Sequence, residues 1–287
     1  MPVYRLFRDS IRDYMRQLGM LGADQTHDVD AMYERQQGLY LHLEQSAAED
    51  WVAEDEQLGI VGWARSIERD DHLQLTHFFV DPAAQGSGIG SALLNRAFPL
   101  GRGKQRSIIA TTSPNALSLY LRQGVSFQGM AICFIGRPRI RPIDTDLALA
   151  RAEPSAATLA RVQAIDSAVL GFQRAADLDY YLRQQPLYLA RRDGAVVGYA
   201  FGSDGKSSGP AAALSAQDLP VLLQQIEISA CEAGLDELSL MIPAAAAAGV
   251  DWALAAGFRI EPFYEVLLAN YPMQLDRYLI TETTFLW

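Results

Sequence analysis

The stretch that most constrains this chain runs from residue 73 to residue 98. It opens as Leu73-Gln74-Leu75-Thr76-His77-Phe78-Phe79-Val80, an apolar, β-rich run. Asp81-Pro82 closes that run, because the residue before a proline is pushed out of the helical region. Gln85-Gly86-Ser87-Gly88-Ile89-Gly90 follows as a glycine-rich turn, and Ser91 to Phe98 then carries apolar residues at helical period. Strand, glycine loop and helix in that order make an anion cradle. Glycine lets successive N–H groups turn into one concavity, and the helix start adds unpaired N–H groups and a partial positive charge. The glycines stand at 86, 88 and 90. That spacing is neither the G-x-x-x-x-G-K-S/T of a P-loop nor the G-x-G-x-x-G of a dinucleotide fold.

Bulk properties narrow the class. The 287 residues allow one large domain or two of ordinary size. The chain is 49% apolar and 20% charged, which suits a soluble globular core. A net charge of −10 argues against a general nucleic-acid surface, which needs clustered Lys and Arg. Cys133 and Cys231 are too few for a disulfide scaffold or a metal cluster and read as small apolar residues. Arg5, Arg8 and Asp9 interrupt any N-terminal apolar run, and no run approaches the roughly 18 apolar residues of a membrane span. A cytoplasmic protein is expected, with neither nucleic acid nor membrane as partner. His27, His42 and His72 fit no compact ligand spacing, so no metal is expected.

In chain order, helices are predicted over 4–18 and 29–45. A hairpin follows, with arms at 51–55 and 58–67, ahead of the strand–loop–helix unit. A buried strand reads at 107–112, a helix from Ser113 to Gly124, and a strand over 127–136. Arg137-Pro138-Arg139-Ile140-Arg141-Pro142 reads as a linker that residues 144–152 continue. The pattern then repeats. Val196-Val197-Gly198-Tyr199-Ala200 parallels Ile60-Val61-Gly62-Trp63-Ala64, residues 237–242 parallel 107–112, and 251–258 parallel the helix ending at Gly124. The expected fold class is therefore α/β, an α+β-like mixed sheet flanked by helices, duplicated in tandem as 1–138 and 139–287. In the second copy Ser207 to Leu214 takes the place of the glycine loop, and Pro210 there has no N–H to give. Ala253 stands where the first copy has Tyr120. The aromatic tail, 271–287, is expected to pack back as a closing strand.

Gln85 to Gly90, following Val80-Asp81-Pro82, resembles the acetyl-CoA loop of the GCN5-related N-acetyltransferase (GNAT) superfamily, Q/R-x-x-G-x-G/A after V-D-P. Asn115 to Gly124 is similar to the family segment N-x-x-A-x-x-L-Y-x-x-x-G-F. Here Ala116 follows Asn115 directly and the aromatic is displaced to Phe127. The resemblance implies two tandem GNAT-like domains, the first intact and the second degenerate. It implies acetyl-CoA as acyl donor and the primary amine of a small molecule as acceptor, in a monomer or homodimer. A protein N-terminus or lysine is the alternative acceptor, and a non-catalytic acyl-CoA-binding module is the alternative class. Cofactor contacts are implied at Phe78, Phe79, Val80, Gln85, Gly86, Ser87, Gly88, Ile89, Gly90, Ser91 and Asn115. The strand ending at Val80 resembles the one that splays from its neighbour and offers backbone N–H groups to the thioester.

Tyr120 is the implied general acid, since a phenol is neutral at pH 7 and can give its proton to a departing thiolate. A core tyrosine on the apolar face of a helix is the competing reading. His77 is the candidate general base by its ordinary pKa. Strand alternation puts it on the face of Leu75 and Phe79, opposite Thr76 and Phe78. A packed histidine fits the sequence as well, and so does deprotonation of the amine through water.

Overall fold

The first unit comprises Met1–Phe127 and Leu267–Tyr271. The computed structural model describes residues 3–19, 29–203, 208–281 and 286–287, so His27 lies outside the described residues. The unit's elements are α1 (Tyr4–Gln17), α2 (Val29–Gln45), β1 (Ala47–Asp55), β2 (Gly59–Arg69), β3 (His72–Val80), α3 (Ile89–Ala97), β4 (Gln105–Ala110) and α4 (Pro114–Arg122). β1, β2 and β3 pair antiparallel, and β4 joins β3 in parallel. The turn between β2 and β3 is two residues long, with Asp70 at φ 50° and Asp71 at φ 63°. Two positive φ values match the right-handed twist of the strands, and Asp tolerates them better than most residues.

The two faces of this sheet are filled differently. On one, Phe7 of α1 meets Phe79 with ring centroids 5.3 Å apart, and Tyr40 of α2 meets His77 at 5.8 Å. On the other lies α3, seated on Gly62. A Cβ on Gly62 would stand 2.7 Å from Leu93 Cδ1 and 3.1 Å from Ile89 Cγ2. Glycine is what lets the helix approach β2 so closely.

β3 carries a bulge that plain alternation misses. Leu75 pairs with Ser66 and His77 with Arg65, so Thr76 is the extra residue. Its hydroxyl donates to Arg65 O at 3.1 Å. One inserted residue flips every side chain beyond it. Leu75 and His77 therefore face opposite sides of the sheet, a correction to the expected alternation; His77 and Phe79 do share a face.

The second unit comprises Gln128–Val266 and Pro272–Trp287. It takes in β5 (Ser126–Gly136) from Gln128 onward, then β6 (Ala148–Ala152), α5 (Ala156–Leu170), α6 (Ala175–Gln184), β7 (Leu187–Arg192), β8 (Ala195–Phe201), β9 (Ala211–Ala213), α7 (Leu219–Glu232), β10 (Leu238–Pro243), α8 (Ala247–Ala255), most of β11 (Arg259–Ala269) and β12 (Tyr278–Leu279). One sheet runs β12-β9-β8-β7-β6, and β5 lies between β11 and β10 in the other. The β7–β8 turn is Asp193-Gly194, again with both φ positive. Ser155 caps α5 by accepting from Thr158 N–H, and Gly171 ends that helix in the left-handed region.

The composition of the units shows an exchange. The strand after α4 belongs almost wholly to the second unit, and Leu267–Tyr271, at the end of the strand after α8, belongs to the first. Within the first unit, Asn270 N–H donates to Arg106 O at 3.1 Å, and its side chain accepts from Arg106 N–H at 2.7 Å.

Two expectations change here. Residues 144–152 do not all continue a linker, because Ala148–Ala152 pairs with β7. β6 is a largely exposed edge strand, so its composition carries no apolar alternation. Ser207 to Leu214 is not the strand-to-helix loop of the second copy, because Ala211–Ala213 is itself the strand; that connection is Leu214 to Asp218, with no glycine in it. The tail does pack back, through Tyr278 and Leu279 opposite Ala212 and Ala211.

Candidate active site

The parallel ladder of β3 with β4 runs from His72↔Gln105 to Leu75↔Ile108 and stops there. β3 continues to Val80 and β4 to Ala110 without pairing to each other. The bulge at Thr76 falls where the ladder ends. Past it, one edge of β3 is held by β2 and the other has no strand on it among the described residues. Asp81 N–H donates to Val61 O at 2.8 Å, toward β2. N–H groups alternate along a strand, so those of Phe79 and His77 also point to β2, and those of Phe78 and Val80 point to the open edge.

The open edge leads into the glycine loop. Asp81 accepts from Ala83 N–H at 2.8 Å and starts a short 3₁₀ turn, Pro82–Ala84. Gln85 Nε2 returns to Val80 O at 3.3 Å, and Ser87 Oγ donates to Ala84 O at 2.6 Å. Gly86 has φ 81° and Gly88 φ 90°. Gly88 is the N-cap of α3, and Ala92 N–H is the first to bond back, to Gly88 O at 3.0 Å. The N–H groups of Ile89, Gly90 and Ser91 thus open past the helix start, where the dipole is positive. A Cβ on Gly90 would lie 3.3 Å from both Leu119 Cδ1 and Phe78 Cζ. Gly90 therefore sets the close approach of α3, α4 and β3. The far end of α3 is held by buried Arg106, whose guanidinium donates to the carbonyls of Phe98, Pro99 and Arg102. Gln123 Nε2 bonds Asn95 Oδ1 at 3.1 Å, tying α4 to α3.

Tyr120 lies on this side of the sheet. Its ring meets Phe78 edge-on, centroids 5.7 Å apart, and it is 5% exposed. Burial pushes its phenol well above the ordinary value, so it stays protonated. No hydrogen bond holds its hydroxyl among the described residues.

His77 is elsewhere. It is 1% exposed on the opposite face, 4.4 Å from the Trp63 ring centroid, with Nδ1 3.0 Å from Thr76 Oγ1. Burial, and then the charge of Arg65, hold its pKa well below the ordinary value. Arg65 in turn binds Asp50 Oδ2 through Nε at 2.9 Å and Nη2 at 2.5 Å, and Trp63 Nε1 donates to Asp50 Oδ1 at 2.8 Å. Phe79 also packs on this face, against Phe7 and Trp63.

The structure therefore brings Phe78, Val80, residues 85–91 and Tyr120 to one side of β3, and puts the side chains of His77 and Phe79 on the other. Asn115 is exposed in the first turn of α4. Sequence reasoning did not single out Gly62 or Arg106 for the site. The glycine inside I-V-G-W-A was a usable signal for the first; nothing in the sequence marked the second. Of the remaining histidines, His72 is buried with Nε2 2.8 Å from Ser107 Oγ, and His42 is in the last turn of α2.

Residues 47–125 match the family model described as the acetyltransferase (GNAT) domain. This segment is a GNAT domain. The GNAT likeness in fold extends over almost all of the chain. A protein from Pyrococcus horikoshii assigned to the acetyltransferases is 18% identical, with a TM-score of 0.67 over 94% of this chain and 90% of that one. A GCN5-related N-acetyltransferase from Sphaerobacter thermophilus is 15% identical, with a TM-score of 0.58 over 93% and 91%. The glucosamine N-acetyltransferase region of a fungal multi-domain GH3 β-N-acetylglucosaminidase reaches 0.59 at 13% identity, over 84% of this chain and 36% of that one. No curated protein sequence matches the chain. No helix among the described residues is long and apolar enough to cross a membrane.

Proposed function

We propose that this chain transfers the acetyl group of acetyl-CoA to the primary amine of a small molecule, using the GNAT domain's open strand edge and glycine loop. The observation that carries the proposal is the end of the β3–β4 ladder at Leu75↔Ile108, which leaves one edge of β3 open as it runs into the glycine loop and a helix start whose first three N–H groups have no partner among the described residues. The loop backbone at 86–91 would hold the cofactor's pyrophosphate, as helix starts hold anions. The side chains of Gln85, Ser87 and Ser91 are exposed beside it, and Asn115 is exposed on α4. The N–H groups of Phe78 and Val80 would bind pantetheine and the thioester oxygen, stabilising the charge that develops there.

In the reaction a new N–C bond forms to the acyl carbon and the C–S bond breaks. Tyr120 donates its proton to the departing sulfur and recovers one from solvent. The amine gives its proton to water. His77 would be the base only if the acceptor reached a ring that is 1% exposed. The second copy contributes no cradle of this kind. Leu214 to Asp218 lacks glycine, and Arg192 pairs with Asp218 beside the start of α7 at 2.9 Å. We read it as a degenerate GNAT-like copy, joined in sequence through the Arg137–Pro142 segment.

The test is release of free CoA thiol from acetyl-CoA with a panel of small amines and a panel of peptides. Turnover on small amines supports the proposal. Turnover on peptides alone moves the acceptor to protein, and binding without turnover on either panel makes the chain a binding module.

A further inference from the structure

We propose that the second unit carries a separate binding site for a small oligophosphate. The site is a cavity of about 460 Å³ lined by Arg137, Arg139, Arg141 and Arg259, together with Asp236 and Glu237. That volume lies within the range of small-molecule sites. Four cations face two acids in the lining, and with Arg141 paired to Glu227 behind it the lining still keeps a positive excess of +1, in a chain whose net charge is −10. Self-repulsion makes such a concentration costly unless a counter-charge offsets it.

The three linker arginines are spaced at every second residue, and Pro138 and Pro142 between and after them favour extended backbone. All three line the same cavity. The segment is also fixed in place. Arg139 N–H donates to Glu227 Oε1 at 2.9 Å, and Arg141 Nη1 stands 3.1 Å from the same oxygen. Glu227 is fully buried on α7, and Gln224 of α7 donates to Arg141 O. α7 thus consumes the charge of Arg141 and the backbone of Arg139. The guanidinium groups of Arg137 and Arg139 have no ion-pair partner among the described residues, and Arg259 reaches Glu261 only at 4.0 Å.

The C-terminus of α8 ends in the same cavity, at Ala256 and Gly257. Its dipole is worth about half a negative charge, too little to offset the remaining positive excess of the lining. Guanidinium groups fork onto phosphate oxygens in pairs, and a chain of linked phosphates spans several such forks at once. A single carboxylate would engage one. The acidic surface of the rest of the chain opposes a nucleic acid in the same place.

The experiment is calorimetric titration of inorganic tripolyphosphate into the full chain under saturating CoA, which blocks the glycine loop. The expected result is one saturable, salt-weakened event. Arg137→Gln/Arg139→Gln should weaken it at least about tenfold, because hydrogen bonds between charged groups are lost. Both side chains are exposed, so folding and acetyl transfer should be unaffected. ATP in place of tripolyphosphate distinguishes a nucleotide from free oligophosphate; either supports the site. No saturable binding, equal binding by the double variant, or binding of an oligonucleotide but not tripolyphosphate would overturn the proposal. Should the chain not bind CoA at all, the comparison of wild type with the double variant decides it unchanged.

Discussion

Phe78 meets Tyr120 edge to face, ring centroids 5.7 Å apart, while the next residue back along the strand, His77, packs against Trp63 on the other side of the sheet. The pair at 78 and 120 ties β3 to α4 beside the glycine loop. The phenol at its centre is buried and protonated.

Tyr120→Phe keeps the ring and removes the hydroxyl. Steady-state kinetics should show kcat lowered by about 10- to 10⁴-fold with KM for acetyl-CoA nearly unchanged, as for an interaction made only in the transition state. Its melting temperature should stay near wild type, since the hydroxyl has no described partner to lose. A variant with wild-type kcat across the pH range would remove Tyr120 from the mechanism.

His77 should show itself in stability rather than turnover. Its folded pKa is lowered, so the folded ring stays neutral while the unfolded chain takes a proton below pH about 6.5. The stability it contributes is fully present above that pH and is lost as pH falls toward the folded pKa, by up to about 1.4 kcal/mol per pH unit. Urea unfolding at pH 7.5 and at about pH 5.5 should give a steeper loss for wild type than for His77→Gln. Equal losses would mean that the ring is already charged in the fold.

Much of this was legible in the sequence because the strongest signals were local. Gly86, Gly88 and Gly90 after Val80-Asp81-Pro82 mark strand, loop and helix within one short window. The bulge at Thr76 left no such mark, because threonine suits a regular strand equally well. β6 escaped because an exposed edge strand has no buried face to pattern. The second copy's loop is misplaced because the strand β9 is three alanines, a residue depleted in strands, and gives no strand signal. The exchange of strand ends between units is a property of long-range pairing, which local pattern does not encode.

The seat of α3 makes Gly62→Ala informative. Its Cβ would stand 2.7 Å from Leu93 Cδ1 and 3.1 Å from Ile89 Cγ2, so these side chains must repack or the helix must shift away from β2. Overpacking of this kind costs about 1–3 kcal/mol. Denaturant unfolding should show that loss, with weaker CoA binding alongside it, because the helix start moves with the helix. Unchanged stability would mean that Leu93 swings aside with the helix left in place.

In the second unit, Arg174 and Asp166 form a buried pair with Nη2 2.7 Å from Oδ1, and both residues are at most 2% exposed. Tyr278 accepts from Arg174 at 2.8 Å and Tyr199 donates to Asp166. Asp166→Ala strands a buried guanidinium and should cost about 3–5 kcal/mol in equilibrium unfolding. A loss below about 1 kcal/mol would show that water reaches the arginine.

The central claim is that one copy of the fold, the one with the glycine loop, holds the cofactor. Gly88 has φ 90° and caps α3, so Gly88→Trp both strains the loop and fills the cradle. Calorimetric titration of CoA into the wild-type chain and this variant tests the claim most directly. The account predicts one saturable site per chain in the wild type and its loss in the variant. A stoichiometry near two that Arg137→Gln/Arg139→Gln leaves in place, no saturable binding, or a Gly88→Trp chain that binds as tightly as wild type would contradict it.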